Sequence, residues 1–488
     1  MQQPSSAENI RPTAAGASRP ERLGTAPVGQ LLLEYSLPAI VAQVAASLYN
    51  IVDRIFIGNG VGPLAIAALA IVMPIMNLTA AFGAMVGAGA ASMSSIRLGQ
   101  QRHKDAADIL GNAFVLNCLI GLVVAVTGLV FLDDILRFFG ASQEVLPYAR
   151  DFMSIILVAN FFNHNFLGLN HIMRATGYPR KAMCSTLLTV SVNVVLAPLF
   201  IFGFGWGIRG AALATATAQF SGFVWVMCHF CRRTSALHFQ RGIFRLRWRV
   251  IGDILSIGLS PFLVNVCTCL VVAAFNHSLM HYGGELGDMA VGAYGISYSV
   301  VMLFLMTVLG LGHGMQPIVG YNFGARRNDR VMETYRRAVV AATCVTATGF
   351  LLGELFPHTI VSAFTSDGQM RELACTCLRI ILISFPLVGF QMTTTTFFQA
   401  IGKAGWSILL SLSRQLIFLA PALLLLPRWL GLKGVYAAYP TGDILAAILT
   451  VIIIVLKIRQ YRDIPAEKAA KASALPPEQQ DMNSGDLI

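Results

Sequence analysis

A lone aspartate in a long uncharged stretch is the residue best suited to chemistry. Residues 35–52 and 55–96 carry no charged side chain, and Asp53 lies between them. A carboxylate in an apolar helix is costly to bury, and it therefore indicates a functional site. Because burial disfavours the charged form, Asp53 could hold a proton, and once ionised it could hold Na⁺ or an organic cation. The alternatives are a pair with Arg54 or a cap on the turn at Gly58.

Two polar side chains precede Asp53 at helical spacing. Tyr49 is one turn earlier on the same face, where its hydroxyl could hydrogen-bond the carboxylate or its ring could face a cation. Asn50 is three residues earlier and is also a neighbour on a helix. We expect Asp53 to couple an ion, and the spacing puts Tyr49 and Asn50 within its reach as candidate contacts of a bound substrate; ordinary packing is the alternative for the two neighbours.

Two opposite charges lie in the last apolar stretches of the chain. An unpaired buried charge is expensive, so we expect Arg414 and Asp443 to form a structural ion pair. The alternative is that Asp443 belongs to an ion pathway. His277 and His281 are one turn apart but have no third ligand at metal spacing, and the nine cysteines lie mostly in apolar stretches. No metal site is predicted.

The composition requires that these residues be positioned by membrane-spanning helices. The chain has 488 residues, of which 56% are hydrophobic and 12% charged, and its mean hydropathy is +0.66. Ordinary soluble domains carry about a quarter charged residues. These values exclude a soluble enzyme, a nucleic-acid-binding protein and a disordered scaffold. The net charge of +11 fits basic residues collected in cytoplasmic loops.

Apolar runs long enough to cross a bilayer predict twelve helices, of which the last two contain Arg414 and Asp443. The first ends near residue 57, and the second follows the turn at residues 58–60 and ends near residue 96. Ten more follow: 109–131, 152–173, 182–208, 210–231, 254–284, 289–325, 333–356, 380–402, 404–427 and 434–456. An even number places both termini on one side, where 26 lysines and arginines lie against 8 on the other. This asymmetry predicts cytoplasmic termini.

The chain is an internal duplication with an offset of 223–225 residues. Four motifs match in order: Pro38 with Pro261, Gly99-Gln-Gln-Arg with Gly324-Ala-Arg-Arg, Arg-Ala-Thr-Gly177 with Gln-Ala-Ile-Gly402, and Gly207-Ile-Arg-Gly210 with Gly431-Leu-Lys-Gly434. Each repeat holds six helices, so the halves are parallel and enclose a central cleft. The expected domains are a tail (1–30), an N-lobe (31–231), a basic linker (232–250), a C-lobe (251–457) and a second tail (458–488), the tails being mostly disordered.

Both halves resemble the multidrug and toxic compound extrusion (MATE) family, most closely its bacterial MepA-like branch. The resemblance is carried by Tyr49-Asn-Ile-Val-Asp53-Arg-Ile-Phe-Ile-Gly58, Arg174-Ala-Thr-Gly177, Gln316-Pro-Ile-Val-Gly-Tyr-Asn-Phe-Gly-Ala325 and Gln399-Ala-Ile-Gly402. It implies an all-α protein of two six-helix lobes, without a cofactor, that exports organic cations, drugs and amphipathic compounds by alternating access. It also implies coupling to H⁺ or Na⁺ in a bacterial inner membrane. We expect a monomer.

The resemblance also implies a pocket in the N-lobe. Its positions are Tyr49, Asp53, Asn170, Asn193 and Thr215, with Met76, Thr79 and Gln219 at similar lining positions. Some family members carry a second aspartate one turn after the asparagine that Asn193 matches, whereas this chain has Ala197 there. In the C-lobe the buried polar candidates are Asn276, Gln399, Arg414 and Asp443. Asn276 is the repeat counterpart of Asp53, and Asp443 that of Gln219.

Another function compatible with this architecture is a flippase for a lipid-linked substrate. A flippase should line its cleft with several basic residues that meet phosphates, whereas Arg414 is the one base in the middle of a predicted span. An intramembrane enzyme is a further alternative. The predicted spans contain no G-x-S-x-G, H-E-x-x-H or nucleotide-binding motif.

Overall fold

The computed structural model describes residues 19–240 and 242–462, which contain helices but no strand. Sixteen α-helices follow in chain order: α1 (Arg19–Thr25), α2 (Val28–Gly60), α3 (Pro63–Gly99), α4 (His103–Val130), α5 (Leu132–Phe138), α6 (Leu146–Ala175), α7 (Pro179–Pro198), α8 (Gly207–Cys231), α9 (Trp248–Gly283), α10 (Gly287–Gly324), α11 (Asn328–Leu355), α12 (Pro357–Ser362), α13 (Gly368–Leu382), α14 (Phe385–Ala400), α15 (Ala404–Leu412) and α16 (Ala420–Arg462). The predicted all-α class is confirmed.

Nine helical stretches in the described residues are long and apolar enough to cross a membrane, or ten when α13 and α14 count as one stretch bent by 51°. Two of these stretches turn back on themselves. A short 3₁₀ turn separates α9 from α10, and the rings of Phe275 and Tyr294 stack across it at 4.7 Å. Gly431, with φ 56°, interrupts α16, so that Gly442 packs against Leu419. The number of twelve spans itself stays a prediction.

One predicted span begins earlier than its uncharged run. Residues 380–402 are the predicted span, but the helical path begins at Gly368 in α13. This first segment carries Arg371, Glu372 and Arg379 on an amphipathic helix, and α14 continues from Phe385. The uncharged run alone therefore marked only the apolar half of this bent pair.

The duplication is visible in the backbone. Three pairs of positions, each 224 or 225 residues apart, share the left-handed conformation. Gln101 and Arg326 are the only residues other than glycine with positive φ in the described chain, and such residues are uncommon. The matched φ values are 61° and 56° for Gln101 and Arg326, 99° and 76° for Gly177 and Gly402, and 54° and 56° for Gly207 and Gly431.

The buried apolar residues form one core that both lobes share and two cores that they do not. The shared core contains Leu31, Val86 and Leu169 of the N-lobe together with Ile254 and Met315 of the C-lobe. Of the other two, one contains only N-lobe residues, such as those at 65–75 and 149–157, and the other only C-lobe residues, such as those at 271–305 and 374–388. The lobes therefore share a core at one end and have separate cores at the other.

Small residues allow the lobes to approach closely at the joined end, which we call the inter-lobe seam. Gly89 and Gly258 bring the backbones of α3 and α9 together, and Gly310 and Gly314 do the same for α10 and α2. A Cβ atom at any of these glycines would collide with backbone atoms of the opposite lobe. The ring centroids of Phe82, from the N-lobe, and Phe262, from the C-lobe, are 4.8 Å apart. From Phe82 to the start of α3, the helix spans about 28 Å at about 1.5 Å per residue.

Both described ends of the chain lie at the seam end. Part of the predicted N-terminal tail is a helix, α1, in which Leu23 is fully buried. Its carbonyl accepts a hydrogen bond of 2.9 Å from the Asn322 side chain at the end of α10. The ammonium of Lys457 lies over the ring of Trp406. The expectation of disorder is wrong for residues 19–25; residues 1–18 and 463–488 lie outside the described chain.

The basic linker is fixed to the N-lobe. The Arg247 guanidinium contacts the Asp108 carboxylate at 2.7 Å, and the Arg247 backbone N–H donates to the side-chain oxygen of Asn112 over 2.8 Å. Leu237 and Ile243 are buried. These contacts tether the linker to the seam end of α4, so it is not a freely moving loop.

Candidate functional site

Asp53 is buried inside the N-lobe without a basic partner. Its residue is 7% exposed, and Oδ1 has no hydrogen-bond partner among the described residues. The adjacent Arg54 is exposed, and no ion pair joins it to Asp53 within the described chain. A buried carboxylate oxygen without a donor is costly, unless a proton or a cation occupies it.

Three polar side chains from three helices surround the helical turn before Asp53. Asn193 of α7 donates to Thr215 Oγ1 of α8 over 3.0 Å and to Tyr49 Oη of α2 over 3.3 Å. The Tyr49 and Thr215 oxygens are 3.3 Å apart. This closed triangle sets how α2 is rotated against α7 and α8, and therefore directs Asp53 into the lobe.

Asp53 has no second carboxylate beside it on α7 or α8. Neither α7 nor α8 contains Asp or Glu, and Ala197, at the position where some relatives of this type have an aspartate, is completely buried in the apolar core of the N-lobe. Gln219 lies one turn after Thr215 on α8, and its buried Oε1 has no hydrogen-bond partner in the described chain. Asp53 and Gln219 are thus both left with an unused oxygen acceptor.

Two predicted lining residues lie on the neighbouring helix α3. Met76 packs against the separate N-lobe core. Thr79 is buried and its hydroxyl donates to the Met76 carbonyl over 2.9 Å. Its own carbonyl oxygen is 2.8 Å from His164 Nε2. Thr79 is thereby tied to helix packing rather than to the triangle of Tyr49, Asn193 and Thr215.

Two other predicted pocket residues do not join Asp53. The Asn50 amide donates to the Ala46 carbonyl of its own helix over 2.9 Å, and its side chain is exposed. Asn170 donates to Ser185 over 2.7 Å and accepts from Arg174 over 2.9 Å. Because Ser185 precedes Asn193 by eight residues on α7, the two sites are about 12 Å apart along the helix.

A buried polar group that was not predicted as a site lies between α4 and α6. Asn117, Asn160 and His164 are almost fully buried, and each has a side-chain nitrogen without a hydrogen-bond partner among the described residues. Asn165 and Cys118 contact each other at 3.5 Å. The available signal was the concentration of Asn and His in the α6 sequence Asn-Phe-Phe-Asn-His-Asn.

A second polar group lies at the seam. The rings of His171, from the N-lobe, and His313, from the C-lobe, are 5.2 Å apart and nearly perpendicular. This contact brings α6 and α10 together, and Nδ1 of His313 is buried without a partner in the described chain. It belongs to the closed end of the molecule rather than to the site around Asp53.

The C-lobe contains the ion pair that the sequence predicts. Arg414 Nε donates to Asp443 Oδ1 over 2.8 Å, and the Ser384 hydroxyl donates to Asp443 Oδ2 over 3.0 Å. Arg414 lies in a π-helical turn, Ser413–Leu419. Asn276 is half-buried on α9 and Gln399 is buried near the seam end of α14; neither contacts the pair by a hydrogen bond within the described residues.

No group of three or more His, Cys, Asp or Glu side chains in the described chain could hold a metal ion. The polar groups of the two sites are two carboxylates, two amides, a guanidinium and the hydroxyls of Tyr49, Thr215 and Ser384.

The chain is similar to known proteins along most of its length. The family model described as MatE matches residues 38–199 and 262–424, one segment in each lobe. Multidrug export protein MepA of Staphylococcus haemolyticus (strain JCSC1435) is 27% identical over 423 residues, which are 87% of this chain and 92% of that protein. MepA of Staphylococcus aureus (strain MSSA476) is 25% identical over 430 residues, 88% and 94% of the two chains.

Solved structures agree in fold. The MATE multidrug transporter DinF-BH, solved as a complex with a ligand, is 33% identical and superposes with a TM-score of 0.83 over 92% of this chain and 98% of its own. An outward-facing MATE transporter of the MOP superfamily is 24% identical, with a TM-score of 0.85 over 91% and 99%. The two matched segments cover more than half of the chain. The protein therefore belongs to the MatE family: it is a multi-pass multidrug efflux transporter, a secondary transporter rather than an enzyme, and needs no cofactor.

Proposed function

We propose that this transporter exports organic cations and other amphipathic compounds in exchange for an inward-moving cation, and that Asp53 is the shared binding group. The observation that carries the proposal is the buried Oδ1 of Asp53, which has no partner in the described chain. A carboxylate that holds either a proton or a cationic guest couples the two flows, because occupancy by one excludes the other.

The geometry favours H⁺ over Na⁺ as the coupling ion. A proton needs a single acceptor, which Asp53 provides, whereas a metal cation in a protein is held by several oxygen ligands. The hydroxyls of Tyr49 and Thr215 already bond to each other and to Asn193. Apart from Asp53, the buried oxygen without a partner on α2, α7 or α8 in the described chain is Oε1 of Gln219, which leaves fewer free oxygens than a metal cation needs. We therefore infer proton coupling, with sodium coupling as the outcome that would replace it.

The conformational cycle in this proposal is alternating access. The lobes share a core only at the seam end, so rocking about the site would separate the glycine contacts there and close the opposite end. We further propose that the lobes are residues 31–231 and 251–457, that the protein acts as a monomer in a bacterial inner membrane, and that the basic seam end with both termini faces the cytoplasm.

The test uses purified protein in lipid vesicles and a fluorescent organic cation. An acidic lumen at equal Na⁺ on both sides should drive dye uptake, because protons leave as the dye enters. A Na⁺-loaded lumen at equal pH should not. Uptake with the Na⁺ gradient alone would overturn proton coupling, and the absence of uptake with either gradient would overturn coupled export.

A further inference from the structure

The Arg414 guanidinium uses only one edge in its ion pair. Its Nε donates to Asp443 Oδ1 over 2.8 Å, and the other carboxylate oxygen accepts from Ser384 over 3.0 Å. Both oxygens of Asp443 are therefore occupied. The two terminal nitrogens of Arg414 have no acceptor in the described part of the chain, although a guanidinium presents five N–H donors.

The Arg414 side chain is not fully enclosed by protein. The Arg414 side chain is 20% exposed, whereas its partner Asp443 is 6% exposed. Arg414 is ten residues beyond the start of α15 and lies well inside an apolar stretch. A charged edge at that depth facing lipid would be expensive, and charged side chains in spans face the bundle interior or a polar cavity. We therefore expect the open edge of Arg414 to face the interior of the C-lobe.

The surroundings of this edge are polar and aromatic. Tyr298 of α10 is half-buried and close enough to interact electrostatically with Arg414, and its hydroxyl makes no hydrogen bond to a described residue. Gln415 donates to Thr268 of α9 over 2.8 Å. Two terminal guanidinium nitrogens and a phenol hydroxyl thus offer donors, and no second carboxylate competes for them in the described α9, α10 or α14, apart from Asp253 and Asp288 near helix starts.

The Arg414–Asp443 pair lies on the repeat counterparts of helices α7 and α8. With the repeat offset of 224 residues, Gln219 corresponds to Asp443 and Thr215 to Tyr439, and Arg414 is three residues before the counterpart of Asn193. The two lobes therefore present opposite chemistry: an acceptor without a donor at Asp53 in the N-lobe, and donors without an acceptor at Arg414 in the C-lobe, both within the described residues.

We propose that the free edge of Arg414 binds the carboxylate of zwitterionic amphipathic substrates, and that this C-lobe subsite adds to the cation site at Asp53. Because Asp443 neutralises the net charge, recognition relies on the paired, directional N–H donors of the guanidinium, which match a carboxylate in geometry. The pairing with Asp443 and Ser384 holds the plane of the guanidinium in place. This subsite rests on the proposed function, since it specifies the substrates of the same exporter.

A matched pair of dyes tests the subsite. Rhodamine 110 carries a free carboxylate, and rhodamine 123 is its methyl ester, so the two differ in the group that Arg414 would bind. The quantity measured is the ratio of their dissociation constants for purified protein, by fluorescence anisotropy, and the ratio of their uptake into vesicles. The variants are Arg414→Lys, which keeps a charge opposite Asp443 but removes the planar donor pair, and Arg414→Gln/Asp443→Asn, which removes both charges together.

Both variants should weaken the binding of rhodamine 110 relative to that of rhodamine 123 by at least about tenfold, which is about 1.4 kcal/mol. Arg209→Gln, at an exposed arginine that pairs with Asp151, is the matched control and should leave the ratio as in the parent. An unchanged ratio in both variants overturns the subsite. Loss of coupled uptake by the unaltered protein would overturn the proposed function. The subsite is still decided by the ratio of the two dissociation constants, because binding needs no ion gradient.

Discussion

The backbone of Gly258 in α9 packs directly against the carbonyl oxygen of Met85 in α3, across the boundary between the lobes. No side chain separates the two helices at this point. Gly89 repeats the arrangement one turn away, against the carbonyl of Ile254. Glycines of this kind let helices in a membrane approach closely and gain packing energy. The close contact of α3 and α9 at the seam therefore requires that positions 89 and 258 carry no side chain.

The first prediction concerns this seam. Gly258→Leu should force α3 and α9 apart by about 2 Å, since ordinary helix pairs are 8–10 Å apart depending on the side chains in contact. Spin labels at Lys104→Cys and Asp329→Cys, in a variant without the native cysteines, report the distance between the lobes at the seam end. Pulsed electron paramagnetic resonance should give a longer distance.

The control for the seam lies on the same helix. A Cβ atom at Gly252 would meet no atom within 4 Å, so Gly252→Leu should leave the label distance unchanged. Equal distances in the two variants would mean that the close approach at Gly258 does not determine how the lobes are closed.

The second prediction concerns Asp53. Asp53→Asn keeps the size of the side chain but removes the charge that alternates between ion and guest, so proton-driven uptake of an organic cation should fall at least tenfold. Protein abundance in the membrane should stay normal, because the replaced carboxylate has no partner to lose in the described chain.

Asp151→Asn provides the comparison, since Asp151 is a partly exposed carboxylate that pairs with Arg209 at 2.9 Å. Its uptake should equal that of the parent protein. Full uptake by Asp53→Asn would remove Asp53 from the coupling mechanism.

The third prediction concerns the hydroxyl of Tyr49. Tyr49→Phe removes one corner of the triangle but leaves the 3.0 Å bond between Asn193 and Thr215. A hydrogen bond of this type contributes about 1 kcal/mol to stability, so the melting temperature should fall slightly. Because the triangle orients α2 and with it Asp53, the substrate concentration for half-maximal uptake should also rise severalfold.

Tyr335→Phe is a matched substitution, because the Tyr335 hydroxyl bonds to Thr394 at 2.8 Å, remote from the site. That variant should lower stability without altering half-saturation. A parallel change in both variants would show that Tyr49 acts through general packing.

The fourth prediction concerns the Arg414–Asp443 pair. Removing one partner leaves the other charge buried, at a cost of about 3 kcal/mol for a buried pair, reduced here because Arg414 is 20% exposed. In detergent, Arg414→Gln and Asp443→Asn should each lower the melting temperature. The double variant should melt above both, since no isolated charge remains. A double variant that melts below the two single variants would contradict a mutually compensating pair.

Local spacing made part of the site predictable. Tyr49 and Asp53 share a face because four residues make about one helical turn, and this relationship does not depend on other helices. The same argument placed Asn50 near Asp53, yet the Asn50 amide bonds to its own helix at Ala46. Spacing gives proximity along a helix, but it does not give the direction of a short amide side chain that has a local backbone acceptor.

The sequence by itself determined the helical membrane class, the two-fold repeat, the family and the candidate carboxylate, because hydropathy, periodicity and motif spacing are properties of the linear chain. Only the tertiary structure decided which polar residues meet. It joined Tyr49 to Asn193 and Thr215, separated Asn170 from them, and left one edge of Arg414 open. The physical reason is that the rotation of each helix about its own axis is set by contacts between distant segments, and no spacing along the chain encodes it.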